Sequence, residues 1–272
     1  MSDLKPNHPR RDCRGFCVLV ASSDRARDIF EITFKNAETI WRGCDWPRYV
    51  GFTNRHPDIY GFKALAAKAP SDWRGELGDQ LDQLPDDTRY VMLIIEDFLF
   101  SSPIDGAALN AVAEEMVRNN LSYVKLTPVT RNLAGQFIES FRRKFDRRPL
   151  RQLSRSEPYY SSVEVAIWKR DYLRTLLRQA GTIWEFEHTV SSEAHYATWT
   201  RIAQYDPLVG RGKWYTETPR LLARQGLSLS DSKRERQTWG AYLHRIRQRA
   251  TFQIIGYSSF RVRRRLNRLP RN

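Results

Sequence analysis

Short apolar runs alternate along the chain with segments whose apolar residues recur at helical spacing. The runs, which are typical of buried strands, are GFCVLVAS (15–22), RYVGFTN (48–54), YVMLII (90–95), YVKLTP (123–128) and SSVEVAIW (161–168). The helical spacing predicts helices at 24–41, at 71–84, from about Asp105 onwards, and at 170–180 before Gly181. Because strands and helices alternate without an internal repeat, we predict an α/β fold.

Two adjacent carboxylates, Glu96 and Asp97, follow directly after the apolar run YVMLII. Ligand sites in open α/β sheets lie beyond the carboxyl ends of the strands, so the pair stands where a site is expected. Two carboxylates can bind a hard divalent cation, and that cation can hold phosphate oxygens. The alternative is structural, with Asp97 capping a turn and Glu96 facing solvent.

The sequence lacks the other common phosphate-binding motifs. No G-x-G-x-x-G follows the first strand, and there is no G-x-x-x-x-G-K-[ST]. H-E-x-x-H and G-x-S-x-G are also missing, which removes the corresponding metalloprotease and hydrolase signatures. A phosphate held by a metal ion is therefore the phosphate chemistry that the sequence still supports.

The net charge of +14 is concentrated at the carboxyl-terminal end. Residues 233–272 contain twelve Lys or Arg against one acid, Glu235, so this segment carries +11 and residues 1–232 carry only +3. Apolar residues interleave with these arginines, a pattern typical of an element that lies on an anionic membrane surface. A solvated basic tail is the alternative. A second basic cluster, at 141–155, indicates an exposed loop or an irregular helix.

Composition places the chain among folded, soluble proteins. Of its 272 residues 41% are hydrophobic and 28% are charged, and no apolar run reaches the roughly 20 residues of a spanning helix. The first residues lack the apolar core of a secretory signal, so we predict a disordered arm at 1–13. The three cysteines, at 13, 17 and 44, have no paired metal-ligand spacing and indicate free thiols in a reducing cytoplasm.

Taken in their order along the chain, the acidic segment 90–105, the segment 157–187 and the segment 209–227 together resemble GT-A-type glycosyltransferases from bacterial capsule, lipopolysaccharide and exopolysaccharide loci. YVMLIIEDFLFSSPID (90–105) is similar to the acidic motif at the end of a central strand in that group. EPYYSSVEVAIWKRDYLRTLLRQAGTIWEFE (157–187) is similar to its second half, and VGRGKW with TPRLLARQGL resembles its closing segments. The acidic motif here reads Glu96-Asp97-Phe98 in place of a full D-x-D, so its third position offers no carboxylate.

The resemblance covers about residues 14–227 and implies a GT-A-like, Rossmann-type central mixed sheet flanked by helices. A basic amphipathic helical tail at 228–272 would follow this domain. The resemblance also implies that Asp97, with Glu96 beside it, binds a Mn²⁺ or Mg²⁺ ion that bridges the diphosphate of a nucleotide sugar. Such an ion would stabilise the charge that grows on the departing nucleoside diphosphate.

Further donor-binding residues are implied near the first strand and near the end of the domain. Ser22 and Asp24, just past the first strand, would lie near the nucleotide, although a helix N-cap is an equally open interpretation. Lys213 in the segment GKW would contact phosphate. The alternative for Lys213 is a surface lysine without a specific role.

The segment GTIWEFEHT supplies the candidate catalytic carboxylates. If the segment is extended, Glu185 and Glu187 point the same way on either side of Phe186. The resemblance favours Glu187 as the general base for the acceptor hydroxyl, because inverting members carry a carboxylate near here. The alternative is a pair of exposed glutamates. His188 and His195 could complete a metal site, although a lone histidine is more often structural.

We therefore expect a cytoplasmic, peripheral membrane glycosyltransferase that works at the inner membrane face. It would transfer a sugar from a nucleotide-sugar donor to a lipid-linked or polysaccharide acceptor, with metal assistance and inversion. One alternative is a nucleic-acid-binding protein that uses the basic tail, which the nearly neutral body disfavours. Another is a nucleotidyltransferase, which would share the acidic metal site but would give the W-E-F-E segment no role.

Overall fold

The structure, a computed structural model, describes residues 14–68, 72–128, 149–155, 160–179, 181–188, 193–229 and 232–255. At 183–184, 188 and 248–255 the description is limited to the backbone. The predicted arm at 1–13, most of the basic cluster at 141–155 and the end of the basic tail therefore lie outside the described residues. Cys17 and Cys44 are buried free thiols, as predicted.

The described strands and helices alternate along the chain. The strands are β1 (Phe16–Ala21), β2 (Arg48–Phe52), β3 (Lys63–Ala66), β4 (Tyr90–Ile95), β5 (Phe98–Phe100), β6 (Tyr123–Lys125), β7 (Leu150–Gln152), β8 (Ala166–Lys169), β9 (Tyr196–Thr198), β10 (Tyr205–Pro207), β11 (Val209–Gly210) and β12 (Lys213–Trp214). The helices are α1 (Arg27–Thr33), α2 (Ala37–Ile40), α3 (Trp73–Asp82), α4 (Gly106–Arg118), α5 (Arg170–Gln179), α6 (Ile183–His188), α7 (Thr218–Ala223) and α8 (Trp239–Ile255).

Eight of these strands form one mixed sheet in the order β3-β2-β1-β4-β8-β6-β9-β7. The first four strands run parallel, whereas β8 is antiparallel to both of its neighbours. Strand β9 is parallel to β6 and antiparallel to β7. Strand β5 pairs with β10, and β11 with β12, in two small antiparallel sheets. The predicted α/β class, with a central mixed sheet flanked by helices, is confirmed.

Helices cover both faces of the sheet, which explains why its central strands are continuous apolar runs. Alternate residues of β1 enter different cores, with Phe16, Val18 and Val20 on one face and Cys17 and Leu19 on the other. The first face packs against apolar residues of α1, α2 and α4. The second face packs against leucines of α3 and α5. The central strands are therefore fixed between two buried layers.

Three of the predicted helices are confirmed as α3, α4 and α5. Helix α3 begins after Asp72, whose carboxylate accepts from the N–H groups of Arg74 (3.1 Å) and Gly75 (3.0 Å). Helix α4 begins after Asp105, which accepts from Ala108 N–H at 3.0 Å. Both aspartates are N-caps, which satisfy backbone donors at the helix start. The predicted apolar face of α4 is buried and comprises Leu109, Val112, Ala113 and Met116.

The prediction of a single helix at 24–41 is wrong. The segment forms a 3₁₀ turn at Asp24–Ala26, then α1, then α2. The helical hydrogen bonding breaks where Ala37 N–H donates to Phe34 O (2.9 Å), a tighter turn than that of an α-helix. The hydroxyl of Thr33 also donates back to Ile29 O (2.7 Å), a contact that often bends helices. The apolar residues whose spacing predicted the helix, Ile29, Phe30, Phe34 and Ala37, are nevertheless buried.

Two predicted strands are shorter than their apolar runs. YVKLTP is a strand only at β6, and SSVEVAIW only from Ala166 onwards. Ser161 and Ser162 are buried but lie outside the sheet. The hydroxyl of Ser162 accepts from Glu164 N–H at 3.2 Å, and this local bond replaces strand pairing.

Residues between 232 and 245 contact the body of the protein, and α8 begins within this segment. Arg234 Nη2 lies 2.8 Å from the Asp28 carboxylate. Trp214 N–H donates to Glu235 O (2.9 Å), and Gln237 N–H donates to Trp214 O (2.8 Å). The boundary that we placed at residue 228 stays a prediction. Within the described part of the chain, no helix has both the length and the apolar character needed to cross a bilayer.

Gly78 and Gly106 provide a matched test of the packing. A Cβ at Gly106 would lie 2.0 Å from the backbone oxygen of Gly43, whereas a Cβ at Gly78 would meet nothing within 4 Å. We expect Gly106→Ala to lower the free energy of unfolding by about 1–3 kcal/mol, because backbone must move. Gly78→Ala should raise it by about 0.5–1 kcal/mol, since alanine favours the helix. Urea denaturation measures both, and equal effects would contradict the close approach at Gly106.

Candidate functional site

A cavity of about 450 Å³ lies at the carboxyl ends of β1, β2 and β4. Because these strands run parallel and Ala21 at the end of β1 pairs with Ile95 at the end of β4, their ends reach the same edge of the sheet. Ser22, Thr53 and Glu96 follow the three strands and all line the cavity. This is the edge at which open α/β sheets bind ligands. The structure therefore places two predicted site residues, Ser22 and Glu96, in one cavity wall.

Glu96 and Asp97 form the turn between β4 and β5. Burial, together with the adjacent negative charge of Asp97, raises the pKa of Glu96 to about 8. Burial also raises the pKa of Asp97 to about 6, although the backbone N–H groups of Asp97 and Val209 donate to its carboxylate and act in the opposite direction. Glu96 thus borders the cavity. The structural alternative placed this side chain in bulk solvent, and that expectation is wrong.

The acidic pair fits a divalent cation only if other ligands complete the site. Within the described ranges, no group of three or more His, Cys, Asp or Glu side chains could hold a metal ion. Glu96 and Asp97 supply two carboxylates whose negative charge is unfavourable where it is buried. A bound cation would relieve that cost, and Mg²⁺ commonly takes one or two carboxylates together with phosphate oxygens and water. Glu96 lines the cavity and Asp97 does not, so the two carboxylates could hold a cation only together with phosphate oxygens and water.

Ser22 lines the cavity, whereas Asp24 does not and instead hydrogen-bonds the loop after β2, which includes Thr53 of the cavity wall. The Asp24 carboxylate accepts from the N–H groups of Thr53 (3.1 Å) and Asn54 (3.3 Å) and contacts His56 Nε2 (3.0 Å). No side-chain hydrogen bond caps the 3₁₀ turn or α1, so the N-cap interpretation is wrong. Asp24 positions Thr53, which belongs to the cavity wall.

Two buried polar atoms in the cavity wall were not predicted from the sequence. Trp73 Nε1 and Gln80 Oε1 have no hydrogen-bond partner among the described residues. Gly51 leaves space for Gln80, because a Cβ there would lie 2.0 Å from the Gln80 side chain. Buried polar groups are almost always hydrogen-bonded, so these two unpaired atoms are an exception that lies in residues of the cavity wall. The helical spacing of α3 predicts that Trp73 is buried among apolar residues, but it gives no sign that its Nε1 atom lacks a hydrogen-bond partner.

Lys213 lies outside the cavity wall. It belongs to β12, and its ammonium group pairs with the Glu235 carboxylate at 2.6 Å. Both side chains are at least half exposed, so this ion pair contributes little stability and can open readily. A phosphate contact of Lys213 stays a prediction, and it would require the lysine to exchange Glu235 for the ligand.

The segment around Glu185 and Glu187 is the helix α6, so the expectation of an extended segment is wrong. A helix turns by about 100° per residue, and residues two positions apart therefore point to different sides. Thr182 N–H donates to Glu185 Oε2 (2.7 Å) and Glu185 N–H donates to Thr182 Oγ1 (3.2 Å), which is a capping box. Glu185 is exposed and caps the helix, whereas Glu187 is buried.

Glu187 lies next to Val163, a residue of the cavity wall. The Val163 N–H donates to the Glu187 carboxylate, and Ser162 Oγ donates to Glu187 Oε1 at 3.4 Å. Burial, reinforced by the negative charge of Glu164, raises the pKa of Glu187 to about 7, although these hydrogen bonds and Lys125 act against the increase. A carboxyl group that titrates near neutral pH can serve as a general base.

An ion pair between Lys125 and Glu164 acts on Glu187 and was not predicted. Lys125 Nζ lies 2.6 Å from Glu164 Oε2, and only 5% of the Lys125 side chain is exposed. Burying a lysine is costly unless it is paired, so this pair fixes the two side chains near the Glu187 carboxylate. The sequence carried one signal for it, because Lys125 interrupts the apolar run YVKLTP.

His195 is a buried structural residue, so its suggested role in a metal site is wrong. Its Nδ1 donates to Tyr160 O (2.8 Å), and its Nε2 accepts from the Tyr172 hydroxyl (2.6 Å). Burial lowers the pKa of His195 to about 4, so the imidazole is neutral at physiological pH. Both ring nitrogens are engaged by these contacts. The side chain of His188 lies outside the described residues.

Comparisons with known proteins concern the fold. No family model and no curated protein sequence matches the chain. Among the solved structures that match is the crystal structure of S. aureus TarS 1–349, a staphylococcal wall teichoic acid glycosyltransferase, with a TM-score of 0.41 and 10% sequence identity. The match covers 70% of this chain and 59% of that chain, so the chain spans less than two thirds of the TarS structure.

The charges around Glu187 predict opposite effects of two substitutions on its pKa. Glu164→Gln removes a like charge and should lower the pKa of Glu187 below about 7, whereas Lys125→Met removes an opposing charge and should raise it. Carbon-detected NMR titration of the Glu187 carboxyl measures both. Glu185→Gln is the control and should leave the titration unchanged. A Glu187 titration that is identical in all three variants would contradict the assignment of these charges.

Proposed function

We propose that the protein is a glycosyltransferase that moves a sugar from a nucleotide-sugar donor to an acceptor hydroxyl. One observation carries the proposal: an acid with a raised pKa, Glu96, lines a cavity at the strand ends, and two further such acids adjoin its wall, Asp97 as the next residue along the chain and Glu187 through its hydrogen bond from Val163 N–H. Perturbed acids cluster at functional sites. An adjacent pair suits a cation and a diphosphate, and a separate carboxylate suits proton removal from the acceptor.

The nucleotide of the donor would occupy the cavity. Its volume of about 450 Å³ lies within the range of small-molecule sites. Trp73 and Gln80 line the cavity and would contact the nucleotide, and a rotation of each side chain would bring its unpaired atom, Nε1 or Oε1, to the polar edge of the nucleotide. Arg25 brings a positive charge to the wall near Ser22, where the phosphates would lie.

Asp97, with Glu96 beside it, would hold a Mn²⁺ or Mg²⁺ ion together with the donor diphosphate. When bound, such a cation neutralises the charge that develops on the departing nucleoside diphosphate. The two carboxyls also respond to the cation, because a nearby positive charge favours their ionised forms. Donor, cation and acidic pair would therefore bind cooperatively, and the donor should bind weakly without the metal.

Glu187 would act as the general base. Its carboxylate would accept the proton of the acceptor hydroxyl while the hydroxyl oxygen forms the bond to the anomeric carbon. The bond from that carbon to the diphosphate oxygen breaks, and its electron pair leaves with the nucleoside diphosphate. A direct displacement of this kind inverts the anomeric centre. Ser162 and the Lys125–Glu164 pair would hold the carboxylate and set the pH range in which it accepts a proton.

The acceptor would be a lipid-linked sugar or a growing bacterial surface polysaccharide, of the capsule or lipopolysaccharide type. The basic segment 233–272, with its charge of +11, supports work at the cytoplasmic face of an anionic membrane. A nucleic-acid-binding role would use the same segment, but the remaining chain carries only +3. A nucleotidyltransferase would turn over free nucleoside triphosphates and would give Glu187 no evident task.

Asp97→Asn tests the cation site. The substitution preserves the side-chain shape but removes a negative charge, so donor affinity in the presence of Mn²⁺ should fall by at least roughly 10-fold. Calorimetric titration of sugar nucleotides, with and without Mn²⁺, measures the effect. Asp105→Asn is the matched control, because the same change lies at a helix N-cap that asparagine also satisfies. Unchanged metal-dependent affinity in Asp97→Asn would refute the site.

Glu187→Gln tests the general base. Turnover should fall by about 10²- to 10⁴-fold, while donor affinity should persist because the base acts on the acceptor. In the unsubstituted protein, turnover should rise as the pH increases through about 7, where Glu187 loses its proton. Glu185→Gln is the control, since glutamine also completes a capping box. Near-normal transfer by Glu187→Gln with a genuine acceptor would remove the support for this mechanism.

A further inference from the structure

Helix α8 carries an exposed apolar stripe. Trp239, Leu243 and Ile246 are 70%, 62% and 44% exposed, and their spacing of four and three residues places them along one side of the helix. Only one other large hydrophobic side chain of the described residues, Val117, is exposed to this extent. Contiguous exposed apolar residues commonly mark an interaction surface, whereas single ones such as Val117 do not.

The opposite side of α8 is attached to the body. The Arg245 guanidinium bonds both carboxylate oxygens of Glu217 and lies over the ring of Tyr215, 3.7 Å from its centroid. Tyr242, one turn earlier, is half-buried. These contacts hold the helix with its apolar stripe directed away from the protein. The stripe is therefore a feature of a docked helix and does not belong to a loose tail.

The charge around the stripe indicates what covers it. Arg247 is exposed beside it, and residues 233–272 carry a charge of +11. Apolar side chains flanked by arginines suit a bilayer surface, where the apolar groups enter the acyl boundary and the guanidinium groups contact anionic headgroups. A second copy of the chain would bring two strongly basic segments together, which like-charge repulsion opposes. Nucleic acid would satisfy the arginines but would leave the aliphatic side chains without a suitable partner.

We propose that α8 lies on an anionic phospholipid surface, with Trp239, Leu243 and Ile246 inserted at the boundary between headgroups and acyl chains. The Arg245 clamp fixes the body of the protein relative to that surface. Charge alone does not account for this binding, because the apolar stripe supplies a part that salt does not screen. The inference stands independently of the proposed reaction.

Flotation of the full-length protein with phosphatidylglycerol-containing vesicles tests this surface. Combined substitution of Trp239, Leu243 and Ile246 by serine should weaken binding roughly 100-fold, because these side chains lose most of their apolar area. Val117→Ser is the matched control and should bind as the unsubstituted protein does. Thermal unfolding should be unchanged in all variants, since the residues are exposed. Equal vesicle binding by the triple variant would show that charge alone holds the protein, and the proposal would be overturned.

A second readout locates the contact. Vesicles with brominated acyl chains should quench part of the tryptophan fluorescence of the unsubstituted protein, and Trp239→Phe should lose that quenching while it keeps its binding. Identical quenching in Trp239→Phe would place another surface on the membrane and would refute the stripe. A full-length protein that ignores the vesicles but binds duplex DNA, or that dimerises through the stripe, would also refute it.

Discussion

The parallel pairing of β1 with β4 is the constraint on which the site depends. The two strands are in register along their whole length, from Phe16 opposite Tyr90 to Ala21 opposite Ile95. Both are buried on two faces, so a slip by one residue would exchange every side chain between the two cores. Because the register is fixed, the residues after each strand meet at one edge. The position of Glu96 in the cavity wall follows from this geometry, because Glu96 is the first residue after β4.

Burial of the acids Glu96, Asp97 and Glu187 makes their ionised forms energetically unfavourable in the folded protein. Burial raises the pKa values of Glu96, Asp97 and Glu187, which means that their ionised forms are less stable here than in water. Around Glu187 the fold adds a further buried charge, Lys125, and pairs it with Glu164. A chain selected for stability alone would place apolar residues at such positions. Only Glu96 of the three lines the cavity, and a chemical role for these acids is what the proposed function would add.

Sequence patterns predict the elements whose signal is local. The six-residue strands β1 and β4 and the 13-residue α4 are examples. Strands of two or three residues, such as β7 and β12, escape prediction because their pairing depends on distant segments. Helix α6 was misread because W-E-F-E alternates like a strand, although Thr182 and Glu185 have the spacing of a capping box. The acidic pair was predictable from its position after a strand, whereas the sequence marks Lys125 as unusual in its apolar run but does not show that Glu164 is its partner.

A short series of contacts connects the apolar stripe of α8 with the acidic pair. Arg245 lies over Tyr215, and Tyr215 N–H donates to Leu208 O at 2.8 Å. Leu208 N–H in turn donates to Asp97 O at 2.9 Å. Each step in this series is a direct contact, either a cation–π contact or a backbone hydrogen bond. A membrane that holds α8 would therefore also hold the cavity edge at a fixed distance from its surface. Under the proposed function, such an arrangement would suit an acceptor anchored in the same membrane, because protein and acceptor would then meet with little loss of orientational freedom.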